Sequence, residues 1–208
     1  MPPRPERDKP IIGLAGGIGA GKTAVARILE TLGAAVIDFD LLARSALETR
    51  GVIATLRNWW GDSIISPNGA VDRQAIAAIV FEIPGELARL EQLIYPRLRR
   101  PREELVARYL ADQNVKAIVF DAPKLFEAGL NKLCDSVVYV EADRSVRLQR
   151  VAQSRRWTQE ELTRRENLQN PLDMKRANAD HVVINQSGID ELRPQVELVF
   201  SSVLASFA

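Results

Sequence analysis

Gly16-Gly17-Ile18-Gly19-Ala20-Gly21-Lys22-Thr23 fits the pattern G-x-x-x-x-G-K-[ST], and its reading decides the fold. Average residue usage would produce that string by chance in about one chain of this length per hundred. Its flanks agree with it. The apolar pair Ile11-Ile12 precedes it. After Lys22 the positions Val25, Ile28, Leu29 and Leu32 recur at the interval of a half-buried helix, which Gly33 can end in a left-handed cap. Five of the 12 glycines (Gly13, Gly16, Gly17, Gly19 and Gly21) fall within nine residues, so this segment needs bare backbone. The unit reads strand, glycine loop, helix. Such a loop turns backbone N–H groups into one concavity, the helix N-terminus adds partial positive charge, and glycines admit phosphate oxygens where a Cβ would collide. A merely flexible glycine turn would not need the lysine and hydroxyl in register. The spacing predicts that Lys22 spans the β and γ phosphates of a nucleotide and that Thr23 ligates Mg²⁺.

Outward from the loop, Ala34-Ala35-Val36-Ile37 is a short apolar run ending at Asp38 and Asp40. Val115 to Phe120 ends at Asp121, Val137 to Val140 ends at Glu141, and Val182-Val183-Ile184 forms a further run. Apolar runs separated by helical stretches predict a parallel α/β sheet with ligands at the carboxyl ends of its strands. Residues 41 to 114 are mostly helical in pattern, too long for one crossover helix. Ser66-Pro67-Asn68-Gly69 reads as a turn, Asp72 as the N-cap of a helix, and Ile83-Pro84-Gly85 as a break. In the last segment, 189 to 206, Pro194 predicts a break or a late helix start.

The 208 residues carry 28 Lys plus Arg against 27 Asp plus Glu, a net charge of +1 with the single His neutral. That balance excludes a polybasic or polyacidic protein, and a chain of this length buries about 70% of the surface its unfolded form exposes. One cysteine excludes an internal disulfide, and no uninterrupted apolar run reaches the roughly 18 residues of a membrane span. The expected location is the cytoplasm. Residues 1 to 10 hold four prolines and five charges without an apolar stretch, and read as a disordered lead-in rather than a secretory signal.

Several residues carry candidate chemistry. Asp38 and Asp40 lie two apart at a strand end and, if the chain stays extended, point to one side; each either orients an attacking hydroxyl or caps the next helix. Asp121 either holds a magnesium-bound water or closes a turn before Pro123. Residues 144 to 176 contain nine Arg or Lys (Arg144, Arg147, Arg150, Arg155, Arg156, Arg164, Arg165, Lys175, Arg176) against four acids, a local charge of +5. A solvated helix face, a nucleic-acid patch and a lid whose arginines close over phosphates all fit such a cluster, and the phosphate loop favours the lid, with Arg150 foremost. Nucleic acid is disfavoured, for want of interleaved aromatics and net basic charge. Cys134 and His181 read as structural, and Trp59 and Trp60 as core or as the lining of a cleft. Asn131 to Asp135 is one residue too long for a guanine-reading N-K-x-D. The expected architecture is a P-loop NTPase fold, α/β, a parallel sheet flanked by helices. Its core spans 11 to 50 and 114 to 208, with a helical acceptor-binding insertion at 51 to 113 and a basic lid near 144 to 178.

From Ile11 onward the chain resembles the dephospho-CoA kinase family, which phosphorylates the ribose 3′-hydroxyl of dephospho-coenzyme A with ATP. Beyond the glycine loop, the resemblance rests on the order of Val36-Ile37-Asp38-Phe39-Asp40, Gly69-Ala70-Val71-Asp72-Arg73 and the short turn Tyr95-Pro96. Asp121-Ala122-Pro123-Lys124-Leu125-Phe126-Glu127, Gln149-Arg150, Pro171-Leu172-Asp173-Met174-Lys175 and Ala179-Asp180-His181-Val182 continue it. Tyr95 stands where the family has a histidine, Lys124 where it has a leucine, and Ser154 where it has a second lid arginine. The resemblance implies that Asp40 is the base and that Lys22 and Arg150 serve the transfer. It implies that Gly17, Ile18, Gly19, Ala20, Gly21, Lys22, Thr23, Ala24 and Asn185 bind ATP, and that Asp38, Arg73, Tyr95 and Pro123 lie on the acceptor side. Thr23 and Asp121 would serve Mg²⁺. The partner implied is a small molecule, with no nucleic acid or membrane, on a monomer or weak homo-oligomer. Two rivals share the loop: another small-molecule or nucleotide kinase of this fold, and a P-loop regulatory protein that binds nucleotide without turnover.

Overall fold

The computed structural model describes residues 7–67 and 69–207. In chain order its elements are β1 (Ile11–Gly16), α1 (Lys22–Thr31), β2 (Ala34–Asp38), α2 (Phe39–Leu47), α3 (Arg50–Trp60), α4 (Arg73–Glu82), α5 (Glu86–Ala111) and β3 (Ala117–Asp121). β4 (Ser136–Glu141), α6 (Arg144–Arg155), α7 (Gln159–Glu166), α8 (Leu172–Ala177), β5 (His181–Ile184) and α9 (Ile189–Phe207) complete it. The five strands form one sheet in the order β2-β3-β1-β4-β5, every neighbouring pair parallel. The expected α/β sheet flanked by helices is what the chain forms.

Parallel strands covered on both faces read as continuous apolar runs, and β1, with all six residues buried, does so. On one face, Ile12, Leu14, Val119, Val138 and Val140 pack under Val25, Ile28 and Leu29 of α1 and Leu192, Val196 and Phe200 of α9. The sheet ends at β5, where Val182 and Ile184 are exposed. There the Gln195 side chain meets the outer backbone of Ile184: Ile184 N–H donates to Oε1 at 2.9 Å, and Nε2 donates to the Ile184 carbonyl at 3.0 Å.

The chain divides into two compact units, one formed by Met1–Asp38 with Val106–Ala208 and the other by Phe39–Leu105. The divisions fall after Asp38 and Leu105 rather than near 50 and 113, because α2 packs with α3 and α5 runs on into the sheet-bearing unit. The second unit has its own core of Val52, Leu56, Ile64, Val71, Ile76 and Val80. Asp72 caps α4, its Oδ1 accepting from Gln74 N–H at 2.9 Å and Ala75 N–H at 3.1 Å. Gly69 N–H closes the Ser66 turn at 2.8 Å; Asn68 lies outside the described residues.

Three expectations need correction. Of the lead-in, residues 1–6 lie outside the described residues, whereas Arg7 to Pro10 are tied down. Arg7 Nη2 pairs with Asp135 at 3.0 Å, and buried Lys9 donates to the carbonyls of Tyr109, Leu110 and Asp112 where α5 ends. A lysine at a helix C-terminus satisfies carbonyls that lack intrahelical partners, which offsets the cost of burying it. Pro194 does not delay α9: it is the sixth residue of the helix, whose hydrogen bonding begins with Leu192 N–H to Gly188, so one bond near the helix start is lost. Nor is Tyr95-Pro96 a turn, since Pro96 and Pro101 both lie inside the 26-residue α5.

A buried ion pair joins the loop after β3 to the last turn of α8. Lys175, 2% exposed, donates to Glu127 Oε1 at 2.8 Å and to Gln169 Oε1 at 3.0 Å, and Asn170 N–H donates to the same Glu127 oxygen at 2.7 Å. Burial pushes the Glu127 carboxyl up, but Lys175 and the Asn170 amide outweigh it and hold the group below its ordinary value of 4.5.

Leu14→Ala, which empties a site in the central strand, is expected to cost about 2–5 kcal/mol in urea unfolding, and Asp72→Ala about 1 kcal/mol. Because its folded-state pKa is depressed, the stabilisation from Glu127 is complete above its ordinary value of 4.5 and lost as pH falls through the lower folded value. Unfolding measured against pH should therefore show a steeper acid limb in the wild type than in Glu127→Gln.

Candidate active site

The loop between β1 and α1 occupies the carboxyl end of β1, the middle strand of the sheet. Gly21 serves as N-cap of α1 with φ 95°, and a Cβ there would stand 2.2 Å from Asn185 Nδ2, so both backbone angle and space demand glycine. No acidic side chain occupies the first turn of α1, which leaves the positive end of the helix for an external anion.

The loop's carbonyls are engaged from behind. Lys22 Nζ donates to Gly16 O at 3.0 Å and Gly17 O at 3.2 Å, and the Gly21 carbonyl accepts from Ala24 N–H at 2.9 Å. The Ala20 carbonyl receives both Asn185 Nδ2 at 2.8 Å and Arg150 Nη1 at 3.3 Å, and Arg150 Nη2 reaches Asn185 Oδ1 at 3.2 Å. Asn185 is itself buried and held by its backbone N–H to Glu141 O at 2.8 Å. A peptide's carbonyl and its following N–H point in opposite directions. Anchoring the Ala20 carbonyl therefore turns the Gly21 N–H the other way, away from Arg150 and Asn185.

Arg150 and Asn185 thus meet at the phosphate loop although 35 residues separate them. Thr23 is exposed in the first turn of α1, followed by half-buried Ala24. Asp38 and Asp121 are register partners at the ends of β2 and β3, and Asp121 is level with Leu14 of β1, so Asp121 lies beside the loop strand and Asp38 one strand farther out. Pro123 follows, half-buried. The second unit carries Asp40 in the first turn of α2, exposed Arg73 as the first residue of α4, and Tyr95 within α5. Among the described residues, no group of three or more His, Cys, Asp or Glu is placed to hold a metal.

Of the other residues singled out, Cys134 is buried and donates from Sγ to the Leu130 carbonyl at 3.4 Å. Trp59 and Trp60 are half-buried in the second unit. The Arg89 guanidinium lies 3.9 Å over the Trp59 ring, and Trp60 Nε1 donates to Glu86 at 2.7 Å. Arg155 and Arg165 both lie over Trp157, at 4.8 and 4.2 Å. Arg147, a member of the basic cluster in which the sequence put Arg150 foremost, has a buried guanidinium that reaches the loop carbonyl of Ile18. Its spacing from Arg144 and Arg150, three residues each way on α6, was the available signal.

A family profile described as dephospho-CoA kinase matches residues 10–191. A dephospho-CoA kinase of Anaeromyxobacter dehalogenans is 37% identical over 194 residues, 93% of this chain and 92% of that protein. The crystal structure of TT1252 from Thermus thermophilus superposes with a TM-score of 0.79 at 30% identity, covering 97% of this chain and 100% of that one. Dephospho-CoA kinase from Campylobacter jejuni, 20% identical, shares the fold with a TM-score of 0.69 over 95% of this chain and 98% of that one. With a parallel sheet, a phosphate loop at its middle strand and a profile match over most of its length, the chain belongs to the dephospho-CoA kinase family.

Proposed function

We propose that this chain transfers the γ-phosphoryl group of ATP to the ribose 3′-hydroxyl of dephospho-CoA, giving coenzyme A and ADP. The observation that carries the reading is the phosphate loop with its carbonyls anchored behind it, in a chain whose family membership extends over both units. Phosphoryl transfer needs little covalent help from the protein, only positioning and charge stabilisation.

The roles are read from the family resemblance and from residue chemistry. The amides from Gly17 to Ala24 (Gly17, Ile18, Gly19, Ala20, Gly21, Lys22, Thr23, Ala24) line the phosphates, and Lys22 leaves the loop carbonyls to bind the β and γ oxygens. Arg150 spends two of its nitrogens on Ala20 and Asn185, and its remaining N–H groups serve the transferred phosphoryl group. Asn185 backs the loop and borders the adenine side. Asp40 accepts the proton of the 3′-hydroxyl as its oxygen bonds to the γ-phosphorus and the bond from that phosphorus to the β-γ bridging oxygen breaks. Asp38, Arg73, Tyr95 and Pro123 contact the acceptor. Mg²⁺, when bound, draws charge from the β and γ oxygens. One hydroxyl, Thr23, and one carboxylate, Asp121, would hold it, a donor set suited to a hard cation that keeps most of its waters. The helices α6 to α8 act as a lid that excludes water. The enzyme works in the cytoplasm as a monomer or weak homo-oligomer, without nucleic acid or membrane; among the described residues no helix is long and apolar enough to cross a bilayer.

The direct test is a coupled assay with dephospho-CoA, ATP and Mg²⁺, where ADP should form only in the presence of acceptor. In Asp40→Asn, ATP affinity should stay within about threefold while transfer slows by roughly 10², the usual worth of general-base assistance. Unchanged turnover removes Asp40 from the role, and nucleotide binding without any phosphorylated product overturns the kinase reading.

A further inference from the structure

We infer that Arg147 is a positioning residue of the phosphate loop: it fixes the Ile18–Gly19 peptide, and Glu166 ties that fixation to α7. The inference rests on the reading that the loop holds a nucleotide polyphosphate.

Arg147 lies on α6 with a side chain 5% exposed. Its Nε donates to the Ala142 carbonyl at 3.1 Å, where β4 has ended, and its Nη1 donates to the Ile18 carbonyl at 3.4 Å. Nη1 also pairs with Glu166 Oε1, at the last residue of α7. The guanidinium lies close against the loop. A Cβ on Gly17 would come within 2.9 Å of Nη1 and 3.2 Å of Cδ and Cζ, and one on Gly19 would stand 2.8 Å from the Arg147 carbonyl. Glycine at 19 is thus required by its φ of 80° and by the Arg147 backbone carbonyl, and at 17 a Cβ would crowd the Arg147 side chain.

The consequence is directional. With the Ile18 carbonyl drawn to Arg147, the Gly19 N–H points the opposite way, just as Arg150 and Asn185 turn the Gly21 N–H by holding the Ala20 carbonyl. Two alternate amides of the loop are then aimed before any ligand arrives, and a donor already in place costs no reorganisation when negative charge binds. A buried guanidinium needs a carboxylate, and Glu166 supplies it from α7. Arg147 also lines a cavity of about 500 Å³ with Ile18, Arg144, Glu166 and Asn167, so solvent reaches the pair from one side. Lysine could not replace the arginine, because one ammonium lacks the planar fork that reaches Ala142, Ile18 and Glu166 together.

The test is isothermal titration of full-length wild type, Arg147→Met, Arg147→Lys and Glu166→Gln with ADP and, separately, with dephospho-CoA, alongside thermal unfolding. ADP binding should weaken by about tenfold or more in Arg147→Met, and by about threefold in Arg147→Lys and Glu166→Gln, while dephospho-CoA affinity stays within about twofold. A merely structural role would lower both affinities in proportion, and that result overturns the proposal, as does unchanged ADP affinity in folded Arg147→Met. If Arg147→Met fails to fold, Arg147→Lys and Glu166→Gln decide: selective loss of ADP affinity supports the role, and wild-type affinity in both removes it. A wild type that binds no ADP overturns the nucleotide reading itself, a result distinct from normal wild-type binding with indifferent variants.

Discussion

The site depends on one constraint, that a peptide group cannot show its oxygen and the following hydrogen to the same side. A loop that is to grip an anion with amides must dispose of its carbonyls elsewhere, and in this chain they are disposed of by side chains arriving from far along the sequence. Asn185 comes from the end of β5, Arg150 and Arg147 from α6, and Lys22 from the loop's own helix. Parallel topology makes the arrangement possible. With β1 between β3 and β4, whatever follows β4 and β5 emerges at the same edge as the loop. The glycines and their anchors are one device: the loop is bare so that buried polar groups can approach its back as well as phosphate its front.

Much of this was legible in the sequence because it is written in short-range patterns. Apolar runs of four to six residues ending in an acid give β2, β3 and β4, and the spacing of Val25, Ile28 and Leu29 gives the helix that covers the sheet. Asp72 could be read as a cap because capping is a contact between residues two and three apart. Arg150 stood out by the company it keeps.

What escaped the sequence depends on partners more than a hundred residues away, or on tertiary context overruling local preference. Nothing near Lys9 announces that it will end a helix that starts at Glu86, and nothing near Arg147 names Ile18, 129 residues earlier. The prolines erred in the other direction. Pro194 sits so near the start of α9 that a single backbone bond is forfeited, and the burial of Leu192, Val196 and Phe200 outweighs it. The composition of the first ten residues suggests disorder, yet Arg7 to Pro10 lead directly into the middle strand and are held by Asp135 and the carbonyls at the end of α5.

The amide of Gln195 has a consequence beyond the fold it decorates. An outermost strand with exposed Val182 and Ile184 is a template onto which a foreign strand can zip, extending the ladder from molecule to molecule toward fibrils. Here one glutamine already answers both backbone groups of Ile184, as a strand would. An intruder must evict a satisfied partner before its first bond forms. A single side chain therefore closes the outer hydrogen-bonding groups of Ile184 at the sheet's margin.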